Sequence, residues 1–204
     1  MKLSKPLVDE VSHFPSELKA RYARHVVIPG IGLSGQKRLA NAKVLCIGAG
    51  GLGSPVLLYL AAAGVGTLGI VDFDLVDESN LQRQIIHGEG DIGTPKTQSA
   101  RARIHEINSA VKVNIYDEGI TRDNALKIIS DYDVVIDATD NFATRYLIND
   151  ACVLLKKPCV WACAPSLLLP GFCCWRSIPA GWMTSRWLHV YPISCGAACR
   201  MRNC

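Results

Sequence analysis

The chain has 204 residues, of which 49% are hydrophobic and 20% charged, and its formal net charge is +4. This balance is typical of a folded globular protein and excludes a disordered chain. The Lys and Arg residues form no cluster that would favour nucleic acid, and no apolar run reaches the roughly 18 to 20 residues of a membrane span. The first residues contain no apolar stretch of a signal peptide. We therefore expect a cytoplasmic protein with no nucleic-acid partner and no membrane partner.

Two helices are predicted before the first strand. Ser16 is the N-cap of the first helix, which continues to residue 28 and ends at Pro29-Gly30. The second helix is short and spans residues 34–41. The elements that follow are a strand at 43–47, a glycine-rich turn, a helix at 54–63 that ends at Gly64, and an apolar strand at 67–72.

The glycine-rich turn runs from Gly48 to Gly53 with the spacing Gly-x-Gly-x-x-Gly. In this spacing the first glycine allows a tight turn, the second, Gly50, lets the backbone approach a phosphate, and the third lets the helix pack close to the strand. Free N–H groups at the start of the helix favour an anion. Asp72, at the end of the next strand, is placed to bind a ribose. These positions predict a nucleotide site, although close helix–strand packing alone would also explain the glycines.

The second half of the chain continues the alternation of strands and helices. A polar loop at 72–87, with a helical turn at 79–84, is followed by a helix at 95–108, a strand at 111–116, a helix at 123–130, a strand at 133–138 and a helix at 141–155. Strands that alternate with helices indicate βαβ units. The expected fold class is α/β: a Rossmann-like, mainly parallel sheet with helices on both faces.

Polar residues in the second half distinguish between kinds of nucleotide. Asn80 and Arg83 lie close together in the chain, Lys96 follows a Gly-x-Pro turn, and Asp140-Asn141 follows a later strand. Ligands bind at the carboxyl ends of the strands in an open α/β sheet. Two cations and a carboxylate near a phosphate turn suit a triphosphate with Mg²⁺. An NAD-dependent dehydrogenase, which would share the glycine turn, has no evident use for them.

Together these motifs resemble the E1-like family that activates ubiquitin-like sulfur carriers, the MoeB/ThiF adenylyltransferases. Six ordered segments carry the resemblance over residues 17–161: Arg21 to His25, Gly48 to Gly53, Asp72 to Asp74, Ser79 to Gln84, Gly93 to Lys96 and Asp137 to Asn141. The resemblance implies ATP-dependent adenylation of the C-terminal glycine of a small carrier protein ending in Gly-Gly, which serves molybdopterin, thiamine or cysteine synthesis. The products would be an acyl-adenylate and pyrophosphate.

The resemblance also implies roles for the matching residues. The nucleotide would be bound by Gly48, Gly50, Gly51, Gly53, Asp72, Asp74, Ser79, Asn80, Leu81, Gln82, Arg83, Lys96, Asp140 and Asn141. The catalytic set would be Arg24, Arg83, Lys96 and Asp140. Asp140 would bind Mg²⁺, and Arg24 would reach the site of a second copy, which implies a homodimer. From sequence alone, Asp140 could instead be only the N-cap of the next helix, and Arg24 an ordinary surface charge.

The C-terminal residues 162–204 differ in composition from the ATP-binding adenylation domain predicted at 1–161. All four tryptophans and seven of the nine cysteines lie after Pro158, and no Asp or Glu follows Asp150. A disulfide framework conflicts with a cytoplasmic domain, and the cysteine spacings do not favour zinc. The favoured interpretation is an aberrant, frameshift-like tail, with the C-terminal part of the family fold missing. The alternative function is therefore a truncated, non-catalytic nucleotide-binding product of a damaged gene.

Overall fold

The computed structural model describes residues 6–162 and 175–177 of the chain. The strands are β1 (Lys43–Ile47), β2 (Thr67–Val71), β3 (Lys112–Tyr116), β4 (Val134–Asp137), β5 (Cys159–Trp161) and β6 (Trp175–Ser177). The helices are α1 (Ser16–Arg21), α2 (Ala23–Val26), α3 (Gly32–Asn41), α4 (Gly53–Ala63), α5 (Lys96–Ile107), α6 (Ala125–Ser130) and α7 (Phe142–Leu155). Two 3-10 turns, Glu78–Asn80 and Glu89–Asp91, lie between β2 and α5.

The strands form one sheet in the order β3-β2-β1-β4-β5-β6. The first five are parallel to their neighbours, and β6 pairs with β5 in the antiparallel direction. The central strand β1 leads to β2 on one side and has β4 on the other, so the order along the chain reverses between β1 and β4. This reversal opens a crevice at the carboxyl ends of the two strands.

Helices cover both faces of the sheet, as predicted. Along β1 the side chains alternate between two cores. Val44 and Cys46 pack in the core that includes α4 and α5, and Leu45 and Ile47 pack in the core that includes α6 and α7. Full burial of a side chain such as Leu45 stabilises the fold by about 1.5–3 kcal/mol. Both faces of the central strand are therefore apolar, and the polar site lies at its end.

One predicted helix is divided in the structure. The helix expected at 16–28 forms as α1 and α2, separated at Tyr22, whose backbone has φ −102° and ψ 17°. Tyr22 is 4% exposed, and its hydroxyl accepts a hydrogen bond from Asn108 Nδ2 at 2.8 Å. Burial of this side chain against the end of α5 overrides the continuous helical pattern. The other predicted helices differ from the observed ones by one or two residues at their ends.

Within residues 6–162 and 175–177, no helix is both long enough and apolar enough to cross a bilayer. The cytoplasmic location expected from the sequence stays a prediction. The interpretation of 162–204 as an aberrant tail concerns residues outside the described part of the chain, except for Ala162 and β6. It also stays a prediction.

The link between Asn108 and Tyr22 provides a test of the fold. Asn108 is 2% exposed, and its Nδ2 donates to the Tyr22 hydroxyl and to the Ala61 carbonyl, each at 2.8 Å. We expect Asn108→Ala to lower the free energy of unfolding by about 1–3 kcal/mol, because the Tyr22 hydroxyl and the Ala61 carbonyl each lose a buried hydrogen bond. Gln98→Ala, at an exposed position of α5, is the control and should change little. Denaturant unfolding measures both variants, and equal stabilities would contradict the prediction.

Candidate functional site

The carboxyl ends of β1, β2 and β4 open onto one cleft of about 1060 Å³. The cleft lies where the strand order reverses, which is the usual ligand position in an open α/β sheet. The predicted site residues on its wall are Gly48, Gly50, Gly51, Asp72, Asp74, Ser79, Asn80, Arg83, Lys96, Asp140 and Asn141. The fold thus brings residues from separate parts of the chain to one place.

The back wall of the cleft is the turn from Gly48 to Gly53. Gly48 has φ +99°, and a Cβ there would lie 2.8 Å from the Ala138 carbonyl oxygen, just after β4. A Cβ at Gly53 would lie 2.0 Å from the Gly48 carbonyl oxygen. Gly53 therefore lies behind the turn and not on the cleft wall. Its role is the one that the spacing predicted: it lets α4 begin close to the strand.

Backbone N–H groups at Gly50 and Gly51 are available to a ligand. Both residues line the cleft, and among the described residues neither N–H group has a hydrogen-bond acceptor. The first residue of α4, Gly53, follows directly. Unpaired N–H groups beside the start of a helix form a site for an anion such as a phosphate.

Asp72 joins this turn to the end of β2. Its Oδ2 accepts the Ala49 N–H at 2.7 Å, and its Oδ1 accepts the Asp74 N–H at 2.9 Å. Each carboxylate oxygen keeps a further lone pair, so a hydroxyl from the cleft can still donate to it. The position on the cleft wall suits the ribose-binding role predicted from the sequence.

Lys96 begins α5 and lies at the cleft with its charge already paired. Its side chain is 6% exposed, and its Nζ lies 2.8 Å from Asp74 Oδ2, whose side chain is 52% exposed. The Lys96 N–H also donates to the Asp74 carbonyl at 3.0 Å. Pairing with a carboxylate offsets part of the cost of burying an ammonium group. Lys96 is therefore a preformed cation at the edge of the cleft.

The 3-10 turn after β2 carries the predicted amide and arginine. Asp77 accepts the Ser79 N–H at 2.8 Å, and hydrogen bonding from Ser79 holds the pKa of the Asp77 carboxyl below its usual value. Arg83 is exposed, and its Nη1 donates to the Ser79 carbonyl at 3.2 Å. Asn80 and Arg83 both lie on the cleft wall.

Leu81 and Gln82 were predicted to bind the nucleotide, but the structure does not bring them to the cleft wall. The N–H groups of Arg83 and Gln84 both donate to the Asn80 carbonyl, at 3.1 and 2.9 Å, and so continue the turn. Such a turn repeats about every three residues. Asn80 and Arg83 therefore share one side, and the two residues between them lie elsewhere.

After β4, Asp140 and Asn141 have different roles: Asn141 caps α7, and Asp140 faces the cleft. The Asn141 Oδ1 accepts the Thr144 N–H at 2.9 Å and so caps α7. Asp140 is exposed, lines the cleft and has no side-chain hydrogen bond among the described residues. The alternative in which Asp140 is only the N-cap is therefore wrong. Its carboxylate remains available to a ligand.

Arg145 is a cleft residue that the sequence analysis missed. Its Nε donates to the Thr139 carbonyl at 3.0 Å, and its Nη2 donates to the same carbonyl and, at 3.3 Å, to the Ala162 carbonyl. Buried Asp137 holds Thr139 from the other side, because its Oδ1 accepts the Thr139 N–H at 3.0 Å and the hydroxyl at 2.6 Å. These contacts fix the segment that carries Asp140. The available signal was a cation near the start of α7, where the helix dipole disfavours positive charge.

Arg24 does not reach the cleft of its own chain. It is exposed in α2, which contacts α3, and it is not among the residues on the cleft wall. The predicted action of Arg24 in the site of a second copy, and the homodimer that this requires, stay predictions.

Cys46 lies close to the turn but is not a candidate nucleophile. Burial, with smaller contributions from Asp72 and Asp137, raises the pKa of its thiol to about 12. The protonated thiol points to the Gly48 carbonyl, with Sγ and oxygen 3.4 Å apart. Cys46 thus serves as a small core residue, as the sequence suggested.

The described residues of this cleft form no preformed cage for a divalent cation. Among the described residues, no group of three or more His, Cys, Asp or Glu side chains is placed to hold a metal ion. Mg²⁺ commonly binds one or two carboxylates together with phosphate oxygens and water. The exposed Asp140 carboxylate fits this mode of binding.

Fold and cleft together define a class of protein: a Rossmann-like α/β domain with a glycine turn suited to an anion, a carboxylate at the end of β2, and basic side chains at the cleft. Comparison with known proteins narrows this class. The model of the ThiF family matches residues 22–167, and the chain belongs to the ThiF family.

Curated relatives are named as adenylyltransferases. The chain is 54% identical over 187 residues to the probable adenylyltransferase/sulfurtransferase MoeZ of Mycobacterium tuberculosis, covering 92% of this chain and 47% of MoeZ. It is 56% identical over 146 residues to the adenylyltransferase and sulfurtransferase MOCS3 of Dictyostelium discoideum, covering 72% of this chain and 34% of MOCS3. The chain thus spans about half the length of MoeZ and a third of MOCS3. The 187 residues aligned with MoeZ include some that follow residue 161.

Solved structures show the same fold. The E. coli tRNA N6-threonylcarbamoyladenosine dehydratase TcdA in complex with ATP has a TM-score of 0.72 and 28% sequence identity. The similarity covers 78% of this chain and 65% of that chain. A similar fold therefore binds ATP in TcdA.

The backbone at Gly48 provides a test of the turn. We expect Gly48→Ala to lower the free energy of unfolding by about 1–3 kcal/mol, because a side chain at this φ is strained and would contact the Ala138 carbonyl. Gly50→Ala is the control, since the nearest atom to its Cβ, Gln84 Nε2, would lie 3.8 Å away. Thermal unfolding compares the two. A loss at Gly50 as large as that at Gly48 would show that the strain argument is wrong.

Proposed function

We propose that this domain adenylates the C-terminal glycine carboxylate of a small ubiquitin-like sulfur-carrier protein that ends in Gly-Gly. ATP and the carrier would give an acyl-adenylate and pyrophosphate. The observation that carries the proposal is that Arg83, Lys96 and Asp140 surround a turn in which the Gly50 and Gly51 N–H groups have no acceptor among the described residues. Membership of the ThiF family and the names of MoeZ and MOCS3 support it.

The residues at the cleft match the main physical difficulty of this reaction. A carboxylate is already a nucleophile, so no general base is required. The difficulty is to bring two anions together and to stabilise the charge of the departing pyrophosphate. In the proposed site the N–H groups of Gly50 and Gly51 hold phosphate oxygens, and Asp72 holds the ribose. Arg83 and Lys96, with the amide of Asn80, offset the negative charge.

Asp140 is proposed to hold Mg²⁺, with Asn141 beside it. When bound, the ion neutralises phosphate charge and orients the phosphate oxygens. The chain's own contribution is to hold Asp140 in place. The bonds that Arg145 and Asp137 make to Thr139 provide this support from two sides.

The homodimer is proposed together with a role for Arg24. This residue is exposed and lies outside the cleft wall of its own chain. A second copy that placed its Arg24 at the cleft would add another cation to the site. No nucleic-acid, membrane or zinc partner is proposed.

Exchange of radiolabelled pyrophosphate into ATP tests the function directly. We expect exchange by the purified chain with Mg²⁺ and a carrier ending in Gly-Gly, and none with a carrier that lacks the final glycine. Protection by ATP against thermal unfolding without exchange would favour the non-catalytic nucleotide-binding alternative. Protection by NAD but not ATP would contradict both interpretations.

Arg83 has the sharpest predicted effect on this exchange. We expect Arg83→Ala to reduce exchange by about 10²–10³-fold or more, the scale for loss of one group that stabilises transition-state charge. The fold should stay intact, because Arg83 is exposed and has one described hydrogen bond, to the Ser79 carbonyl.

Arg101→Ala, at an exposed position of α5, is the matched control and should retain exchange. Unchanged exchange in Arg83→Ala would remove Arg83 from the proposed role.

A further inference from the structure

His87 is buried directly behind the glycine turn and has no part in the reaction proposed above. It is 6% exposed and does not line the cleft. Its Nε2 lies 3.1 Å from the Ala49 carbonyl oxygen, and its Nδ1 lies 2.8 Å from Ser99 Oγ. The imidazole therefore connects α5 to the peptide group that joins Ala49 to Gly50.

The contacts around His87 require more hydrogens than a neutral imidazole supplies. The Ser99 hydroxyl also lies 2.8 Å from Asp91 Oδ2, so three contacts follow one another from Asp91 through Ser99 and His87 to Ala49. Each needs one hydrogen, and the carbonyl and the carboxylate at the two ends supply none. Ser99 supplies one, and a neutral imidazole supplies one. Only the doubly protonated ring supplies the third.

The contact that lacks a hydrogen is the one between His87 Nε2 and the Ala49 carbonyl. A hydrogen bond to a carboxylate is stronger than one to a neutral group, so the Ser99 hydroxyl donates to Asp91. Asp91 stays ionised, because the Gly88 N–H donates to its carboxyl at 2.8 Å and lowers its pKa. The hydroxyl oxygen then accepts from Nδ1. In the neutral ring this leaves the Nε2 lone pair facing the Ala49 carbonyl, and a second proton converts that contact into a hydrogen bond.

The Ala49 carbonyl and the Gly50 N–H belong to the same peptide group. In a trans peptide these two groups point in opposite directions. A donor at the carbonyl therefore fixes the N–H away from His87, and it also strengthens the N–H as a donor, because hydrogen bonds in a chain polarise one another. Gly50 lines the cleft, and its N–H has no acceptor in the described part of the chain.

The charged groups near His87 lie on α5, on the 3-10 turn at Glu89–Asp91 and just after β2. They have opposite effects on the pKa of the ring. Burial is the main cause that lowers the pKa of His87, and Lys96 at the start of α5 acts in the same direction. The Ala49 carbonyl, Asp91 and Asp72 act in the opposite direction. Arg103, also in α5, favours the ionised form of Asp91. Without a ligand the ring is therefore neutral at neutral pH. Negative charge added at the cleft shifts the balance towards the charged ring.

We propose that His87 is a positioning residue that takes up a proton when an anionic nucleotide occupies the glycine turn, and that this proton fixes the Ala49–Gly50 peptide for the phosphate. The proton comes from solvent and occupies Nε2. The inference rests on the proposed nucleotide site. By linkage, a group that gains a proton on binding makes binding tighter as the pH falls, by at most about tenfold per pH unit for one proton.

Isothermal titration calorimetry with MgATP, in buffers of different ionisation enthalpy near pH 6.5, counts the protons taken up. We expect uptake by the wild type and a loss of the His87 contribution in His87→Gln, which can keep hydrogen bonds to Ala49 and Ser99 but cannot titrate. His105→Gln, at an exposed position of α5, is the matched control and should behave as wild type. Titration by the nucleotide itself is common to all three and cancels in the comparison.

Asp91→Asn provides a second variant that leaves the buried ring in place. It removes the negative charge at the far end of the network, so proton uptake should fall with this variant as well. Thermal unfolding establishes that each variant is folded. Equal proton uptake by wild type and His87→Gln would overturn the inference while leaving the nucleotide site intact. A wild type that binds no MgATP would overturn the proposed function and, with it, the inference.

Discussion

The carboxylate of Asp72 is the interaction on which the geometry of the cleft depends. The glycine turn has no polar side chain of its own, so its shape depends on groups that bind its backbone. Asp72 accepts the Ala49 N–H, and the Val71 carbonyl just before it accepts the Gly48 N–H at 2.8 Å. The end of β2 thus fixes the start of the turn that leaves β1. Parallel pairing of these two strands places the N–H groups proposed to bind phosphate beside the carboxylate proposed to bind ribose.

The residues that face the cleft differ in character from those that hold them. Arg83 and Asp140 are exposed and make few side-chain contacts, whereas Asp137 and His87 are buried in hydrogen-bonded networks. This division is physically reasonable, because a charge that must meet a ligand has to stay solvated, and a support has to resist displacement. Loss of an exposed charge should affect chemistry alone. Loss of a buried support should affect both chemistry and stability.

The sequence predicted those features that depend on local spacing. Strand–helix alternation and the glycine turn follow from short periodic patterns, and the two-sided α/β sheet follows from them. The break at Tyr22 could not be predicted, because it depends on Asn108, which lies 86 residues away in the chain. Arg145 was missed for a similar reason, since its partners belong to loops after β4 and β5. Asp140 and Asn141 are adjacent polar residues, and only the geometry of α7 distinguishes the cap from the free carboxylate.

The pair formed by Lys96 and Asp74 has a consequence for selectivity. Because the ammonium is buried and already paired, Lys96 itself adds no unbalanced positive charge to the resting site. A ligand that uses Lys96 has to replace Asp74, whose carboxylate is half exposed and returns to water at little cost. An anion that makes only this one contact gains little binding energy by replacing Asp74. A ligand that also occupies the glycine turn brings several contacts at once, so we expect the Lys96–Asp74 pair to favour anions that fill the whole cleft.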